Sequence, residues 1–254
     1  MSTNDINTEK FRLQDEEYIF PYHYIPYMES NHVVLYRQHR YGYEYFCYLL
    51  HINEIVQRLS PNSLLDVGCG DGFFINQVVR NVNCVKGVDL SERGIAFAKA
   101  FNSGNAKFEC VDAANLNETY DVVVAIEVLE HIPDEYVKTF LQTLFERVRD
   151  GGTVIICVPS KNVPLTPKHY RHYDFTLFRQ QLLDSGIAAD IVSHDYICKE
   201  NKILNKFLEY THNRLLIINA RWLHKKIWKC YYKRLRYADE SNSGHLVITL
   251  TKKI

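Results

Sequence analysis

The central part of the chain alternates between two hydrophobic patterns. Short apolar runs of the kind that form buried strands occur at 63–67, 84–89, 106–111, 121–126 and 153–158. Between them, apolar residues recur at helical spacing in three segments, at 72–80, 91–101 and 134–149. Ser91 and Asp134 stand at the starts of the last two segments, where a side-chain oxygen can cap a helix. This alternation predicts an α/β fold, with parallel strands and helices on both faces of the sheet.

Further elements flank this centre. Helical spacing is also present at 43–59 and 174–185, and two more strands are predicted at 189–198 and 245–252. The first 14 residues are polar and carry no apolar periodicity, so we expect them to be frayed. The predicted division has an aromatic N-terminal extension, a core in two pieces and a helical insert, at 1–55, 56–198 with 241–254, and 199–240.

Composition excludes several classes of protein. The formal net charge is zero, so the chain is not an obvious nucleic-acid binder and we expect no DNA partner. Its seven cysteines form no Cys-x-x-Cys pair, and the polar start shows no apolar signal core, which together are typical of a reducing compartment. No apolar run approaches the roughly 20 residues that span a bilayer. We therefore expect a cytoplasmic protein.

A glycine-rich stretch follows the first of these predicted strands. An apolar run ends in Asp66, and three glycines then alternate with other residues over 68–72. Glycine allows a tight turn and a close approach of the backbone to a ligand. The next strand ends in Asp89, about 20 residues further on, where nucleotide sites place a carboxylate on ribose hydroxyls. Because Phe73 replaces the third glycine of a dinucleotide fingerprint, the pattern favours a ligand that has no pyrophosphate.

Five motifs, in order and at matching spacing, resemble those of the class I S-adenosylmethionine-dependent methyltransferases, and in particular the small-molecule methyltransferases of the ubiquinone-biosynthesis type. They lie at 65–72, 87–91, 108–113, 121–132 and 151–156. The resemblance implies a Rossmann-like, seven-stranded, mostly parallel sheet whose antiparallel last strand lies between its two neighbours, together with helical lid elements. It also implies S-adenosyl-L-methionine as the cofactor.

The resemblance extends to individual cofactor contacts. The backbone of Gly68 and Gly70 would pass under the methionine part of the cofactor, and Asp66 would lie near its ammonium group. Asp89 would accept hydrogen bonds from both ribose hydroxyls, and Asp112 would accept one from the adenine amine. The expected cofactor-binding residues are Asp66, Gly68, Cys69, Gly70, Asp89, Leu90, Asp112, Ala113, Glu127 and Val128.

Two histidine-containing segments are candidates for handling the methyl acceptor. Histidine titrates near cellular pH, so His131 is a candidate general base, and the alternative that it only caps and packs its turn stays open. The segment 168–175 follows the fifth strand at the carboxyl end of the sheet, where open α/β folds bind ligands, although loop packing is an alternative here too. The expected catalytic residues are His131, His169 and His172, and the expected substrate-binding residues are Tyr22, Tyr24, His169, Arg171 and Tyr173.

The same segments permit a metal site. RNA 3′-end 2′-O-methyltransferases place Glu-x-x-Glu-His after the fourth strand and further histidines after the fifth, and these residues together bind a divalent metal. Glu127, Glu130 and His131 resemble the first half of that set. The second half differs, because Tyr173 stands where the later histidine would best align. We therefore expect no metal ligands, and an activity that survives chelators.

The insert at 199–240 is basic and aromatic. Seven Lys or Arg residues and no acid lie within 221–236, together with Trp222 and Trp228, and apolar residues recur there at four-residue spacing. A basic amphipathic helix of this kind favours contact with an anionic membrane or a lipid-linked substrate. The alternative is a lid whose aromatic side packs on the domain while its lysines face water.

These features together predict an S-adenosylmethionine-dependent methyltransferase that acts on oxygen rather than nitrogen. The segment 20–24, Phe-Pro-Tyr-His-Tyr, resembles methyltransferases found with surface-glycan synthesis, and tyrosine rings with polar tips suit sugars. The expected acceptor is a hydroxyl of a sugar, glycan or similar metabolite. The alternatives are a metal-assisted RNA 2′-O-methyltransferase and a non-catalytic cofactor-binding protein. Nothing in the sequence indicates the oligomeric state.

Overall fold

The apolar run Ser63–Val67 lies inside a seven-stranded sheet of the computed structural model, which describes residues 3–18, 27–29, 32–34, 39–102, 104–211, 216, 218 and 220–253. The strands, in chain order, are β1 Tyr27–Glu29, β2 His32–Val34, β3 Ser63–Val67, β4 Cys84–Asp89, β5 Lys107–Cys110, β6 Tyr120–Ile126, β7 Val148–Pro159, β8 Ala189–Lys199 and β9 Ser243–Lys252. The α-helices are α1 Thr3–Asp15, α2 His39–Leu59, α3 Glu92–Phe101, α4 Val137–Arg147, α5 Phe175–Ser185, α6 Lys202–Thr211 and α7 Arg221–Cys230.

The strands of the large sheet follow the order β5-β4-β3-β6-β7-β9-β8. β9 runs antiparallel to both β7 and β8, whereas β3 to β7 pair in parallel. β1 and β2 pair with each other in a separate two-stranded ladder. The seven-stranded, mostly parallel sheet with its antiparallel last strand between two neighbours is therefore confirmed.

Both faces of the sheet are covered by helices. Successive residues of a strand point to opposite faces, and in β3 both sets are buried. Leu65 packs in one cluster with Leu141 of α4 and Phe178 of α5, whereas Leu64 packs in another with Ile52 of α2. Burying a side chain of this size contributes roughly 1.5–3 kcal/mol. The two clusters therefore hold β3, and the loop that follows it, firmly in place.

The glycine loop leaves β3 and lies against the ends of β4 and β6. The backbone N–H groups of Gly68 and Cys69 both donate to the carbonyl oxygen of Val88, at 2.8 and 3.0 Å. Gly68 has a φ of 74°, and a Cβ atom at this position would lie 2.4 Å from a methyl group of Val128. Only glycine fits such a backbone conformation at such a close approach. The loop is thus fixed between two strand ends.

Two predicted helices are shorter in the structure than in the sequence pattern. The helix expected at 72–80 is a single π-helical turn, Phe74–Val78, and Asn81 just beyond it has a φ of 59°. A residue in this left-handed conformation cannot continue a helix. The helix expected at 134–149 begins with a 3₁₀ turn at 134–136, and α4 ends where β7 begins.

The N-terminal residues form α1, which corrects the expectation that residues 1–14 are frayed. Lys10 Nζ donates to the carbonyl oxygens of Pro167 and His169, at 2.8 and 2.9 Å. At the end of the helix, Ser91 Oγ donates to Asp15 Oδ1 at 2.5 Å. Because these contacts are polar, the helix has no apolar periodicity by which it could be recognised in the sequence.

One helix runs across a predicted domain boundary. α2 crosses the boundary expected at residue 55, and its residues Tyr48, Ile52 and Val56 pack in the same cluster as the sheet. The insert at 199–240 contains α6, α7 and a π-helical turn at 231–235. The three-part division stays a prediction.

Candidate active site

A cavity of about 490 Å³ lies at the carboxyl ends of the parallel strands. Its wall includes Gly68 after β3, Asp89 at the end of β4 and Glu127 after β6. Lys10 of α1 and Tyr18, in the short 3₁₀ turn that follows α1, also line it. A cavity of this size accommodates a small molecule, and Gly68, Asp89 and Glu127 belong to the motifs singled out in the sequence.

Asp89 is held in the cavity wall by the backbone. Its Oδ2 accepts a hydrogen bond from the N–H of Gly70 and its Oδ1 accepts one from the N–H of Ser91, both at 2.8 Å. Burial raises the pKa of Asp89 above its usual value, while these backbone hydrogen bonds act in the opposite direction. Each carboxylate oxygen has a further lone pair, so the side chain can still accept from two ligand hydroxyls.

Residues that come directly after β4 and β5 form the next part of the cavity wall. Asp112 Oδ1 accepts a hydrogen bond from the N–H of Ala114 at 2.9 Å and so caps a short 3₁₀ turn. Asp112, Ala113 and the exposed side chain of Leu90 all line the cavity. Their arrangement suits a flat ring with a polar edge, as the predicted adenine contacts require.

Three predicted cofactor residues lie beneath or behind the cavity wall. Asp66 is 2% exposed, and burial together with the charges of Asp89 and Asp71 raises its pKa to about 8. Cys69 is buried next to the backbone of the adjacent strand. A Cβ atom at Gly70 would lie 2.4 Å from the hydroxyl oxygen of Tyr18, so Tyr18 lies directly on the glycine loop.

Glu127 and Val128 follow β6 and line the cavity. Glu127 has a φ of 57°, which is an unusual conformation for a residue with a side chain. Its N–H donates to the carbonyl oxygen of Cys157 at 2.9 Å, and its Oε2 lies 3.5 Å from Nε2 of His245. Burial is the largest single effect and would lower the pKa of His245, but the charge and hydrogen bond of Glu127, together with the charge of Glu44, raise the pKa overall.

The three predicted catalytic histidines lie close to one another, and His131 is the one that lines the cavity. The ring of His169 is perpendicular to that of His131, with centroids 4.7 Å apart. His169 Nδ1 lies 2.7 Å from His172 Nε2, and His172 Nδ1 lies 2.9 Å from the carbonyl oxygen of Val163. Burial, followed by the charge of His131, lowers the pKa of His169 to about 3, so this ring stays neutral.

Glu130 completes this cluster and is fully buried. Its Oε1 lies 3.7 Å from His131 Nε2, and neither carboxyl oxygen has a hydrogen-bond partner among the described residues. Burial, with the nearby charge of Glu127, raises its pKa well above the usual value. One ligand atom each from Glu130, His131 and His169 lies within 4.8 Å of the others. The sequence had pointed to Tyr173 at the place of the later histidine, whereas the structure brings in His169.

Arg171 and Tyr173, two of the predicted substrate-binding residues, lie behind the cavity wall in one hydrogen-bond network. Arg171 donates to Asp134 Oδ1 at 2.7 Å and to the carbonyl oxygens of Leu129 and Ile132 at 3.1 and 2.5 Å. It also donates to the hydroxyl of Tyr173 at 3.1 Å, and the Tyr173 side chain is fully buried. Neither residue is part of the cavity wall. Through these hydrogen bonds, Arg171 holds in place the turn that carries His131, the candidate general base.

Several wall residues were missed by sequence reasoning. Lys10 and Tyr18 come from the N-terminal segment, and Lys168 and Tyr170 flank His169 in the loop after β7. Lys10 Nζ also lies 4.5 Å from the centre of the Tyr170 ring. No spacing rule connects residue 10 to residue 170, so only the fold reveals this pair. The predicted substrate contacts Tyr22 and Tyr24 lie outside the described residues.

The insert is anchored by its apolar side. Leu208 of α6 packs in a buried cluster with Ile227, Tyr231 and Leu235, which are the residues that recur at four-residue spacing. Trp222 is 63% exposed, with Lys226 Nζ 5.2 Å from its ring. Within 221–236, the exposed basic side chains among those that the structure describes are Lys225, Lys226, Lys229, Lys233 and Arg234.

Arg236 differs from the other basic residues of the insert. It is 5% exposed, and it pairs with Glu54 of α2 and contacts His51 Nδ1 at 3.0 Å. It therefore ties the insert to the core and does not belong to the exposed basic surface. Among the described residues, no helix has both the length and the apolar character needed to cross a bilayer.

Comparison with known proteins identifies the family. Residues 37–198 match the family model described as "Methyltransferase domain". The ubiquinone biosynthesis O-methyltransferase of Nitrosomonas europaea is 33% identical over 129 residues, which cover 48% of this chain and 52% of that protein. The corresponding protein of Rhizobium leguminosarum bv. trifolii is 36% identical over 106 residues, 39% of this chain and 41% of that protein. The chain thus spans about half the length of the curated relatives it matches.

A solved structure confirms the fold over nearly the whole chain. Magnesium protoporphyrin IX methyltransferase from Synechocystis PCC 6803, solved with bound S-adenosylmethionine, superposes with a TM-score of 0.57 at 16% identity, covering 96% of this chain and 97% of that one. An identity this low shows the fold alone. The family-model match covers well over half of the sequence, and the chain therefore belongs to the S-adenosylmethionine-dependent methyltransferase family that its motifs resemble.

Proposed function

We propose that this chain transfers the methyl group of S-adenosylmethionine to a hydroxyl oxygen of a small-molecule acceptor. The observation that carries the proposal is that one cavity is lined both by the cofactor motifs and by His131. Asp89 and Asp112 stand in one part of its wall, and His131 with Lys168 stands in another. Cofactor and acceptor would therefore meet in one cavity.

The cavity wall suits the parts of the cofactor. In this proposal Asp89 binds the ribose diol, and Asp112 with Ala113 contacts the adenine. Leu90 packs on the adenine ring. The glycine loop lies under the methionine part, with Asp66 near its ammonium group, Cys69 packed beneath it, and Glu127 and Val128 beside the sulfonium. The fit is supported by Gly68 and Gly70, where any Cβ atom would collide with Val128 or Tyr18.

The reaction needs positioning and the removal of one proton. The acceptor oxygen attacks the methyl carbon as the carbon–sulfur bond breaks, and the sulfonium leaves as a neutral thioether. A cavity that aligns these atoms supplies much of the rate. The hydroxyl proton must also leave, and we assign that step to His131 and the residues packed against it, Glu130 and His169. In its simplest form His131 is the general base.

The proposed acceptor carries its hydroxyl group on a ring. The tyrosine-rich N-terminal segment suggested a hydroxyl of a sugar, glycan or similar metabolite. The cavity wall contains Phe11, Tyr136 and Phe140, and apolar rings of this kind suit the ring of a phenol as well as that of a sugar. The relatives named for ubiquinone biosynthesis favour a small metabolite over a glycan. Both candidates are ring-borne hydroxyls.

We also propose peripheral contact between the insert and an anionic membrane or a lipid-linked acceptor. The exposed basic side chains described within 221–236 and the exposed Trp222 support this contact, because they combine charge with an apolar anchor. The burial of Ile227, Tyr231 and Leu235 supports the alternative of a lid. Co-sedimentation with anionic and neutral vesicles separates the two alternatives.

The deciding experiment for the function follows the methyl group. Protein and cofactor labelled in the methyl group are incubated with a cell extract fractionated into small molecules, lipids, glycans and RNA. Label in the small-molecule or lipid fraction, released as a methyl ether on analysis, is expected. Label in RNA would contradict the proposal in favour of the RNA alternative. Cofactor binding with no label in any fraction would favour a non-catalytic protein. An Asp89→Ala variant is the control for background transfer.

A further inference from the structure

Glu127 is held in the cavity wall in a backbone conformation that side chains disfavour. Its φ is 57°, and such a conformation persists only where the surrounding structure determines it. The side chain is 26% exposed, so one part of the carboxylate faces the cavity and the other faces the protein. The contacts on the protein side therefore decide how this acid is presented to a ligand.

Cys157 of β7 contacts Glu127 twice. Its carbonyl oxygen accepts the hydrogen bond from the N–H of Glu127 at 2.9 Å, and its thiol donates to Glu127 Oε1 at 3.6 Å. Burial, followed by the charge of Glu127, raises the pKa of the Cys157 thiol well above its usual value, so the sulfur keeps the proton that it donates. Cys157 thus fixes both the backbone of Glu127 and one of its carboxylate oxygens.

His245 of β9 contacts the other oxygen of Glu127. Its Nε2 lies 3.5 Å from Glu127 Oε2, and because a carboxylate oxygen only accepts, Nε2 carries the proton. β9 is paired on both sides at this point, where His245 lies opposite Pro159 of β7 and Ile197 of β8. The imidazole also packs on the ring of Tyr48 from α2, with centroids 4.3 Å apart. The imidazole therefore has a fixed place from which to hold the carboxylate.

The second ring nitrogen of His245 shows that this residue does more than fill space. Nδ1 is buried, and it has no hydrogen-bond partner among the described residues. A buried polar atom without a partner is costly, and in a native protein it calls for a specific explanation. The contact that Nε2 makes with Glu127 supplies one, because an apolar side chain at this position would pack against Tyr48 without that cost but would leave the carboxylate unsupported.

We propose that His245 is a positioning residue that, together with Cys157, holds the carboxylate of Glu127 towards the sulfur of the cofactor. His245 is not part of the cavity wall, so it acts through Glu127. The inference rests on the proposed function, in which Glu127 lies beside the sulfonium. His245 thereby sets the preference of the site for the methyl donor over the product that remains after transfer.

The physical basis of this preference is the charge on the sulfur atom. S-adenosylmethionine carries a positive sulfonium, whereas S-adenosylhomocysteine carries a neutral thioether. The two molecules share all their other binding groups. A carboxylate held near the sulfur attracts the first molecule by Coulomb's law and gains little from the second. A carboxylate that turns away from the sulfur loses this discrimination, while the contacts to the rest of the cofactor stay the same.

The test compares the affinities of the full-length protein for S-adenosylmethionine and S-adenosylhomocysteine by calorimetry, and it needs no acceptor. Glu127→Gln removes the charge with little change in volume. His245→Phe keeps a ring against Tyr48 but removes the N–H donor, whereas His245→Gln keeps an amide N–H. His51→Phe is the matched control, because buried His51 has its Nε2 3.2 Å from Asp195 Oδ2 and lies outside the cavity wall.

Glu127→Gln should lower the ratio of the two affinities, in disfavour of S-adenosylmethionine, by at least about fivefold, which corresponds to two unit charges about 4 Å apart in bulk water. His245→Phe should lower the ratio in the same direction, and His245→Gln should restore most of it. His51→Phe should leave the ratio unchanged. In the double variant, the ratio should equal that of Glu127→Gln alone, because a residue that acts through the carboxylate has nothing left to position.

Three results would overturn the inference and leave the proposed function intact. They are an unchanged ratio in His245→Phe, additive losses in the double variant, and tighter binding of S-adenosylmethionine to His245→Phe, which would mean that the imidazole competes with the sulfonium. If His245→Phe binds neither molecule, His245→Asn decides by the same ratio, since its amide is too short to reach Glu127. If the parent protein binds neither molecule, the proposed function fails and the inference fails with it.

Discussion

Asp89 accepts a hydrogen bond from the backbone N–H of Gly70 at 2.8 Å, and this contact joins the end of β4 to the glycine loop after β3. The carboxylate is thereby positioned before any ligand arrives. The sequence contains two signals, a glycine motif and an acid about 20 residues later. This hydrogen bond joins them into one structural unit. Binding of a ribose diol to Asp89 would also restrain the loop that lies under the rest of the cofactor.

Replacing Asp89 with alanine should weaken S-adenosylmethionine binding by roughly 1.5–3 kcal/mol, the range for a hydrogen bond to a charged group. Calorimetry on both proteins measures the change. Asp89→Asn is a useful companion, because it keeps the volume but replaces an acceptor with a donor opposite Gly70 or Ser91. Equal affinities in all three proteins, with unchanged melting temperatures, would remove Asp89 from the cofactor site.

Cofactor binding should release a proton from Asp66. Burial and the neighbouring carboxylates raise its pKa to about 8, so the group is mainly protonated at pH 7. A cofactor ammonium placed nearby favours the charged form, lowers the pKa and expels the proton. Calorimetry at pH 7 in buffers with different ionisation enthalpies counts the protons released. The same count in an Asp66→Asn variant would show that the proton comes from another group.

Replacing Arg171 with lysine should lower the free energy of unfolding by about 2–3 kcal/mol. The guanidinium group donates to two carbonyl oxygens, a carboxylate and a hydroxyl, and an ammonium group cannot span all four. Urea denaturation provides the measurement. Arg149→Lys is the matched control, since Arg149 is 62% exposed and pairs with Asp121 at the surface, where changes are usually within about 0.5 kcal/mol. Similar decreases in the free energy of unfolding of both variants would contradict the structural role of the Arg171 hydrogen bonds.

Replacing Lys10 with methionine should speed the release of S-adenosylhomocysteine. The ammonium group joins α1 to the loop after β7 through the carbonyl oxygens of Pro167 and His169, and α1 forms one wall of the cavity. Loss of about 1–1.4 kcal/mol from these contacts corresponds to a roughly 5–10-fold faster dissociation. Stopped-flow displacement measures it, with the exposed Lys99 of α3 mutated to methionine as control. Unchanged dissociation would mean that α1 does not control access.

The parent protein should co-sediment with anionic vesicles but not with neutral ones, and less so at high salt. Each basic residue near an anionic surface is worth up to about 1 kcal/mol, and salt screens that attraction. Replacing Lys225, Lys226, Lys229 and Lys233 with glutamine should abolish the binding and leave cofactor affinity unchanged. A control variant loses the same charge elsewhere, at Lys99, Lys107, Lys138 and Lys253. If the parent protein ignores anionic vesicles at low salt, the insert is a lid.

The positions of most strands along the chain, the glycine loop and the acids at the strand ends were predictable from the sequence. Each depends on a local rule: apolar runs form buried strands, glycine permits a φ of 74° at Gly68, and a carboxyl group at the end of a strand faces the ligand edge of the sheet. Such signals lie within one element or between consecutive ones. That is why the family resemblance and the fold could be read directly from the chain.

The roles of the polar side chains could be decided only by the tertiary structure. Arg171 has the chemistry of a substrate-binding residue, but the carbonyl oxygens of Leu129 and Ile132 take up its donors, because β6 and β7 are neighbours in the sheet. His131 and His169 are 38 residues apart in sequence, and the same strand pairing places their rings 4.7 Å apart. Distances between loops depend on how the strands are ordered, and no periodicity along the chain carries that information.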